Sequence, residues 1–105
     1  MPFRRATLIF DEIDTGISGD TALKMGGILH DLADQHQVVS ITHSPQVAVK
    51  ADNHYFVFKK IKGDKTVTSV RLLTPEERIR AIATMLSGSP PSESALKNAK
   101  ELLEF

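Results

Sequence analysis

The chain has 105 residues, of which 41% are hydrophobic and 25% are charged, and this ordinary globular composition excludes a disordered or fibrous polymer. A chain of this length is expected to fold around one core. Thirteen basic residues balance thirteen acidic ones, so the whole chain lacks the net positive charge typical of nucleic-acid or anionic-membrane binding. The charges are nevertheless unevenly distributed, because residues 1–52 hold four basic and seven acidic side chains and the remainder hold nine and six.

The sequence contains no cysteine, which excludes a disulfide framework and thiolate metal sites. Its longest apolar stretches are about five residues, far short of the ~20 that a membrane-spanning helix needs. The segment before Asp11 also lacks the apolar core of a signal peptide. These features predict a soluble, intracellular protein.

The first half of the chain has the pattern of a strand, a helix and a second strand. Residues 7–10 are a continuous apolar run, which favours a central parallel strand covered on both faces. A helix with apolar side chains at helical spacing follows to about residue 33, and Gly26-Gly27 within it predicts that another backbone packs closely. Residues 38–42 form a second buried strand, so we expect a parallel pair with a right-handed crossover.

A short helix and a hairpin follow. Pro45 at a first helical position opens a helix that is expected to reach about Ala51. The strand-like runs 55–61 and 66–73 are joined by a tight turn at Gly63.

The hairpin side chains allow two interpretations. Its lysines could contact a DNA phosphate backbone, but we favour the view that they protect a strand edge. Its aromatic side chains could stack on bases, but we favour a place in the core. The residues concerned are Lys59, Lys60, Lys62 and Lys65, and Tyr55, Phe56 and Phe58.

Two amphipathic helices are predicted at the end of the sequence. The first begins with a capping box at Thr74 and Glu77 and ends before Gly88. The second follows a break at Pro90-Pro91. We expect both helices to cover the sheet with their apolar stripes, although these stripes could equally dock a further part of the same protein.

The strongest chemical feature is an apolar strand that ends in two adjacent carboxylates, Asp11 and Glu12. Ligands of open parallel sheets bind in the crevice beyond the carboxyl ends of the strands. At that position Asp11 could hold a hydrated Mg²⁺, which prefers one or two carboxylates together with substrate phosphates. Glu12 would then orient or deprotonate an attacking water in phosphoryl transfer. The alternative is that the acidic pair only begins a solvated loop.

His43 follows the second strand and therefore belongs to the same predicted sheet edge as the acidic pair. A histidine at this edge could donate to a terminal phosphate oxygen and stabilise charge in the transition state. The alternative is a helix-capping or buried structural histidine. Because Ser44 adjoins His43 in sequence, the two do not resemble a nucleophile facing its base, and a serine hydrolase is set aside.

Several segments resemble a known family. TLIFDEIDTGISG (7–19) resembles the Walker B strand and D-loop of the SMC and ABC-type ATPases, and SITHSPQVAVKADNHYFV (40–57) resembles their switch-histidine region. With RIRAIATMLSG (78–88) and ALKNAKELL (95–103), the chain resembles the C-terminal segment of the RecN family of bacterial DNA repair proteins. Transporter-type ATPases share the acidic pair and the histidine but lack the last two segments.

The resemblance implies a fold and a set of roles. The implied fold is α/β, a partial P-loop NTPase head of the ABC/SMC type with a parallel strand core, a β-hairpin and two C-terminal helices. Asp11 would bind Mg²⁺, Glu12 would be the catalytic glutamate, and His43 would be the switch histidine at the γ-phosphate of ATP. The D-loop would meet a second head in an ATP-sandwiched dimer, and it would contain Asp14, Gly16, Ser18 and Gly19. The implied protein is cytoplasmic, nucleoid-associated, ATP-dependent and DNA-binding, and acts in double-strand break repair and recombination.

The phosphate-binding half of such a head is absent from these 105 residues. No G-x-x-x-x-G-K-[ST] motif occurs, and the family's signature motif and coiled coil are also missing. We therefore interpret residues 1–105 as the C-terminal part of a head whose partners are the P-loop half of the same protein, a second head, and DNA. The isolated chain is expected to hydrolyse negligible ATP and to be marginally stable or self-associating, because exposed strand edges template pairing.

Other interpretations stay open at this point. One is the head of another SMC or transporter-type ATPase, and another is a non-catalytic interaction module that keeps the acids as structural caps. A phospho-acceptor receiver that uses Asp11 is weaker, because no lysine follows a later strand at the expected position. His30, His36 and His54 lack metal-ligand spacing, so we expect them at the surface or in caps.

Overall fold

A computed structural model of the chain describes residues 6–104, so residues 1–5 and 105 of the predicted domain lie outside the described residues. The described part contains four strands and four helices that alternate only in its first half. In chain order they are β1 (Thr7–Asp11), α1 (Gly19–Leu32), β2 (Gln37–Ile41), α2 (Pro45–Ala48), β3 (Tyr55–Lys62), β4 (Lys65–Leu72), α3 (Pro75–Ser87) and α4 (Glu93–Leu103).

β1 and β2 form the predicted parallel pair, in which Ile9 lies opposite Val39. Alternate side chains point to opposite faces of a strand, so Phe10 and Val38 share one face and pack against α1. The other face is open, and Ile9 is 67% exposed there. The prediction that β1 is covered on both faces is therefore wrong for this chain, because among residues 6–104 a helix covers only one face of the pair.

Helix α1 approaches the segment after β2 closely at Gly26, as the Gly26-Gly27 pair predicts. A Cβ atom added at Gly26 would lie 2.8 Å from Cγ of Lys50 and 3.2 Å from the carbonyl oxygen of Gln46. A Cβ at Gly27 would have no neighbour within 4 Å. Close packing therefore explains the glycine at position 26, where a larger side chain would not fit, but not the glycine at position 27.

We expect Gly26→Ala to lower the free energy of unfolding by about 1–3 kcal/mol, because overpacking outweighs the gain in helix propensity. Gly27→Ala is the matched control and should raise it by about 0.4–1 kcal/mol, because the position has room for a methyl group. Urea unfolding followed by far-UV circular dichroism would measure both changes. Equal effects at the two glycines would contradict the close approach at Gly26.

The main hydrophobic core lies between helices. Its buried side chains come from the end of α2, from α3 and from α4, and they are Ala48, Val49, Ile82, Ala83, Ala95 and Ala99. The small alanine side chains allow α3 and α4 to pack closely around Ile82, which is completely buried. The prediction that the terminal helices cover the sheet is therefore wrong here, since their apolar stripes pack on each other and on α2.

Helix α3 begins with the predicted capping box. Thr74 Oγ1 accepts a hydrogen bond of 3.2 Å from the Glu77 backbone, and Glu77 Oε1 accepts one of 3.0 Å from the Thr74 backbone. The bond from the Thr74 backbone, followed by the bond from the Arg71 side chain, lowers the pKa of Glu77. These bonds satisfy donors that a helix N-terminus otherwise leaves free.

Helix α2 is shorter than predicted, because it ends at Ala48 rather than near Ala51. The carbonyl groups at its end are bound by Arg78 of α3, which donates to the oxygens of Ala48 at 3.1 Å and Ala51 at 2.6 Å. Burial lowers the pKa of Arg78, and burial, followed by the charge of Arg78, lowers the pKa of His54. Arg78 therefore holds the C-terminal end of the segment that follows His43 against α3.

The hairpin of β3 and β4 has the predicted turn, with Gly63 at a φ of +67°. Its strands are mostly exposed: Phe56 is 47% exposed and Ile61 is 80% exposed. The aromatic rings of Phe56 and Phe58 stack on each other with centroids 6.0 Å apart. The interpretation of the hairpin aromatics as core is therefore wrong for Tyr55 and Phe56, and only Phe58 is half-buried.

Candidate functional site

The candidate site lies at the carboxyl ends of β1 and β2, where the structure brings Glu12 and His43 together. Asp11 pairs with Ile41 as the last register position of the strands, and the Glu12 amide donates to the Ile41 carbonyl at 2.8 Å. His43 Nδ1 lies 3.0 Å from Glu12 Oε1, which is hydrogen-bond distance. The two side chains predicted to share one crevice thus make direct contact across the sheet edge.

The backbone of Glu12 adopts an unusual conformation. Its φ is +52°, in the left-handed region that side chains other than glycine rarely occupy. The turn that follows holds it there, because the Glu12 carbonyl accepts bonds from the Thr15 hydroxyl at 2.8 Å and the Thr15 amide at 3.3 Å. Such strain costs on the order of 1–3 kcal/mol and is typical of functional sites.

Asp11 is exposed at the end of β1. Within residues 6–104, no group of three or more His, Cys, Asp or Glu side chains is arranged to hold a metal ion. The acidic side chains that directly end β1 at this edge are the adjacent carboxylates of Asp11 and Glu12. This set fits Mg²⁺, which keeps several waters and takes one or two carboxylates with phosphate oxygens.

Asp14 has a role that sequence reasoning did not find. The residue is only 5% exposed, and its Oδ2 accepts a hydrogen bond from the Thr42 hydroxyl. The same hydroxyl accepts a bond of 2.9 Å from the Ser44 amide. The sequence shows a threonine directly before His43, but no local pattern indicates that this threonine contacts an aspartate 28 positions earlier.

The other predicted D-loop residues form the turn between Asp14 and α1. Gly16 and Gly19 have φ values of +88° and +60°, so both positions need the conformational freedom of glycine. Ser18 is the N-cap of α1, but its side chain makes no capping hydrogen bond. All three residues are exposed, and the prediction that this turn meets a second head stays a prediction.

Two cavities of the described chain lie away from this edge. One of about 380 Å³ lies at the base of the hairpin and includes His54 and Arg78. Another of about 310 Å³ lies beside the end of α1 and includes His36. His36 and His54 are half-buried rather than on the surface, and each has a buried Nδ1 without a partner in residues 6–104. The Glu12 and His43 pair lines neither cavity, so the candidate site is an open edge.

The parallel pair, the hairpin and the helices that follow it belong to one fold class, that of the SMC-type ATPase head, which is a P-loop NTPase fold. A solved chain from a study of ATP-driven dimerization and DNA-stimulated activation of SMC ATPases matches this fold with a TM-score of 0.61 and 16% identity. The match covers 77% of this chain and 48% of that chain. Within the class, the chain is similar in sequence to DNA repair protein RecN.

Relatives from three bacteria document this similarity. RecN of Deinococcus radiodurans is 47% identical over 97 residues, which are 92% of this chain and 17% of the relative. RecN of Vibrio cholerae is 48% identical over 97 residues, or 92% of this chain and 18% of the relative. RecN of Bacillus subtilis is 39% identical over 98 residues, which are 93% of this chain and 17% of the relative. The resemblance to a C-terminal RecN segment and the predicted fold class are thereby confirmed.

The chain spans less than a fifth of the length of these relatives. No protein-family model matches it. Among the described helices, none combines the length and the apolarity that crossing a membrane would require.

Proposed function

We propose that the chain acts as the part of a RecN-type ATPase head that supplies the metal-binding aspartate, the catalytic glutamate and the switch histidine for ATP-dependent DNA double-strand break repair. The observation that carries this proposal is the 3.0 Å contact between Glu12 and His43 at the carboxyl edge of a parallel strand pair. This contact supports the proposal because open parallel sheets bind their ligands in the crevice beyond this edge.

In this proposal Glu12 orients and deprotonates the attacking water. Its side chain is half-exposed, so a water can reach the carboxylate oxygen that His43 does not contact. The turn at Thr15 and the bond to Ile41 fix the Glu12 backbone on both sides, and phosphoryl transfer depends mainly on such positioning.

His43 faces Glu12 with Nδ1 and leaves Nε2 for the phosphate. A carboxylate only accepts hydrogen bonds, so the contact fixes a proton on Nδ1. Nε2 then donates to a phosphate oxygen when the ring is doubly protonated. A donor at that position favours the charge that develops on the terminal phosphate in the transition state.

Asp11 is the residue that would hold Mg²⁺, with Glu12 beside it. When bound, the ion would neutralise charge on the β- and γ-phosphates of ATP. The proposal is supported by the chemistry of Asp11, because a strand-end carboxylate is a ligand that Mg²⁺ accepts together with phosphate oxygens and water.

A complete site would also need phosphate-binding groups that these 105 residues do not contain, since no G-x-x-x-x-G-K-[ST] motif occurs. We propose that the P-loop part of a RecN-type protein provides them. The turn of Gly16, Ser18 and Gly19 would meet a second head, and DNA would bind to the assembled protein.

The test is a chimera in which residues of this chain replace the matching segment of Deinococcus radiodurans RecN, a replacement at 47% identity. Magnesium-dependent ATP hydrolysis by parent and chimera would be measured side by side. We expect the chimera to stay within about tenfold of the parent, which corresponds to ~1.4 kcal/mol in the barrier. A folded chimera that binds ATP but does not hydrolyse it, beside an active parent, would refute the proposal.

A further inference from the structure

Asp14 and Thr42 connect the two loops that carry the candidate catalytic pair. Asp14 is two residues after Glu12, and Thr42 directly precedes His43. The Thr42 hydroxyl donates to the Asp14 carboxylate and accepts from the Ser44 amide at 2.9 Å. The Thr42 hydroxyl therefore joins the two loops through Asp14, which is more buried than the side chains of Glu12 and His43.

The energetics favour this inner contact as the one that holds the loops in place. The side chains of Glu12 and His43 are 50% and 75% exposed, and exposed ion pairs contribute only about 0–1 kcal/mol. Asp14 is 5% exposed, and hydrogen bonds to charged groups contribute about 1.5–3 kcal/mol. Leaving a buried carboxylate without its partner would also cost its desolvation.

Besides the Thr42 hydroxyl, a backbone bond joins the two loops directly, from the Glu12 amide to the Ile41 carbonyl at 2.8 Å, and on the β2 side it acts before Thr42 and His43. On the β1 side, Asp14 also accepts from the Ile17 amide through its carbonyl at 3.2 Å, which closes the turn. On the β2 side, the Ser44 amide at the start of α2 is bound to Thr42. Loss of the Thr42 hydroxyl would remove its bonds to Asp14 and to Ser44 and leave the backbone bond from Glu12 to Ile41.

We propose that Thr42 is a positioning residue, which acts through the buried Asp14 carboxylate to hold His43 against Glu12. This inference rests on the proposed function for its catalytic consequence. Its structural content, that the hydroxyl of Thr42 maintains the contact between the His43 ring and Glu12, concerns this chain alone.

The experiment compares Thr42→Val, which keeps the shape but removes the hydroxyl, with Thr42→Ser, which keeps the hydroxyl. The ¹⁵N resonances of the His43 ring in the full 105-residue chain report whether Nδ1 carries the proton that the contact requires. We expect Thr42→Val to shift these resonances toward those of a free imidazole. Thr42→Ser should restore them. Wild-type resonances in Thr42→Val, or equal shifts in Val and Ser, would overturn the inference.

A second readout is kcat of the chimera, which we expect to fall by about 10- to 100-fold in Thr42→Val with KM changed less, because misplacement by ~1 Å costs this much. An inactive wild-type chimera would refute the proposed function, while the His43 resonances of the chain would still decide the role of Thr42.

If Thr42→Val does not fold, the variant Asp14→Asn replaces it in the resonance experiment. Asn keeps an acceptor without the charge, so the shift should have the same direction and a smaller size, and an unchanged spectrum would overturn the inference.

Discussion

Glu12→Gln in the RecN chimera is expected to lower kcat for ATP hydrolysis by about 10²- to 10⁴-fold, the contribution typical of a positioned general base. Gln keeps the size of the side chain and can still face His43 Nδ1 with its amide oxygen, but it cannot take a proton from water. Binding of ATP should therefore persist. Steady-state hydrolysis and a separate nucleotide-binding titration would measure the two properties.

Glu101→Gln is the matched control, because Glu101 is exposed on α4, far along the chain from the strand edge. This variant should keep the hydrolysis rate of the unchanged chimera. His43→Ala should also reduce kcat, because it removes the donor proposed for the phosphate. Full activity of Glu12→Gln would contradict a catalytic role for Glu12. If Glu12→Gln fails to fold while the other two variants fold, the contact between Glu12 and His43 has a structural role instead.

Features encoded over a few residues were predictable from the sequence. The capping box of Thr74 and Glu77, the hairpin turn at Gly63 and the acidic pair at a strand end all depend on neighbours within about four positions. The convergence of Glu12 and His43 was also predictable, because carboxyl ends of successive parallel strands share one edge. Topology, rather than local propensity, allowed that long-range prediction.

Features that depend on what covers a surface were not predictable. A continuous apolar run such as residues 7–10 indicates burial on both faces, but Ile9 is 67% exposed because a single helix layer packs on the pair. The packing of α3 on α2 through Arg78 and the bond from Thr42 to Asp14 join residues about 30 positions apart, for which no periodic pattern exists.

Ile82→Ala should have the largest effect on stability, with an expected loss of about 2–5 kcal/mol in the free energy of unfolding. Ile82 is completely buried at the centre of the helical core, where its neighbours include Ala83, Ala95 and Ala99. These alanines cannot move side-chain atoms into the space left by a smaller residue, and the leucine and methionine side chains packed around the cluster are expected to fill the cavity only in part. A loss of this size is a large fraction of the ~5–15 kcal/mol typical of a small domain.

Urea unfolding by far-UV circular dichroism, repeated at several protein concentrations, would separate this loss from any effect of self-association. Ile61→Ala makes the same chemical change at a position that is 80% exposed and should alter the free energy of unfolding by less than about 0.5 kcal/mol. Similar losses at both positions would mean that the hairpin is as much a part of the core as α3. A loss at Ile82 alone would confirm that the stabilising core lies among α2, α3 and α4 rather than in the hairpin.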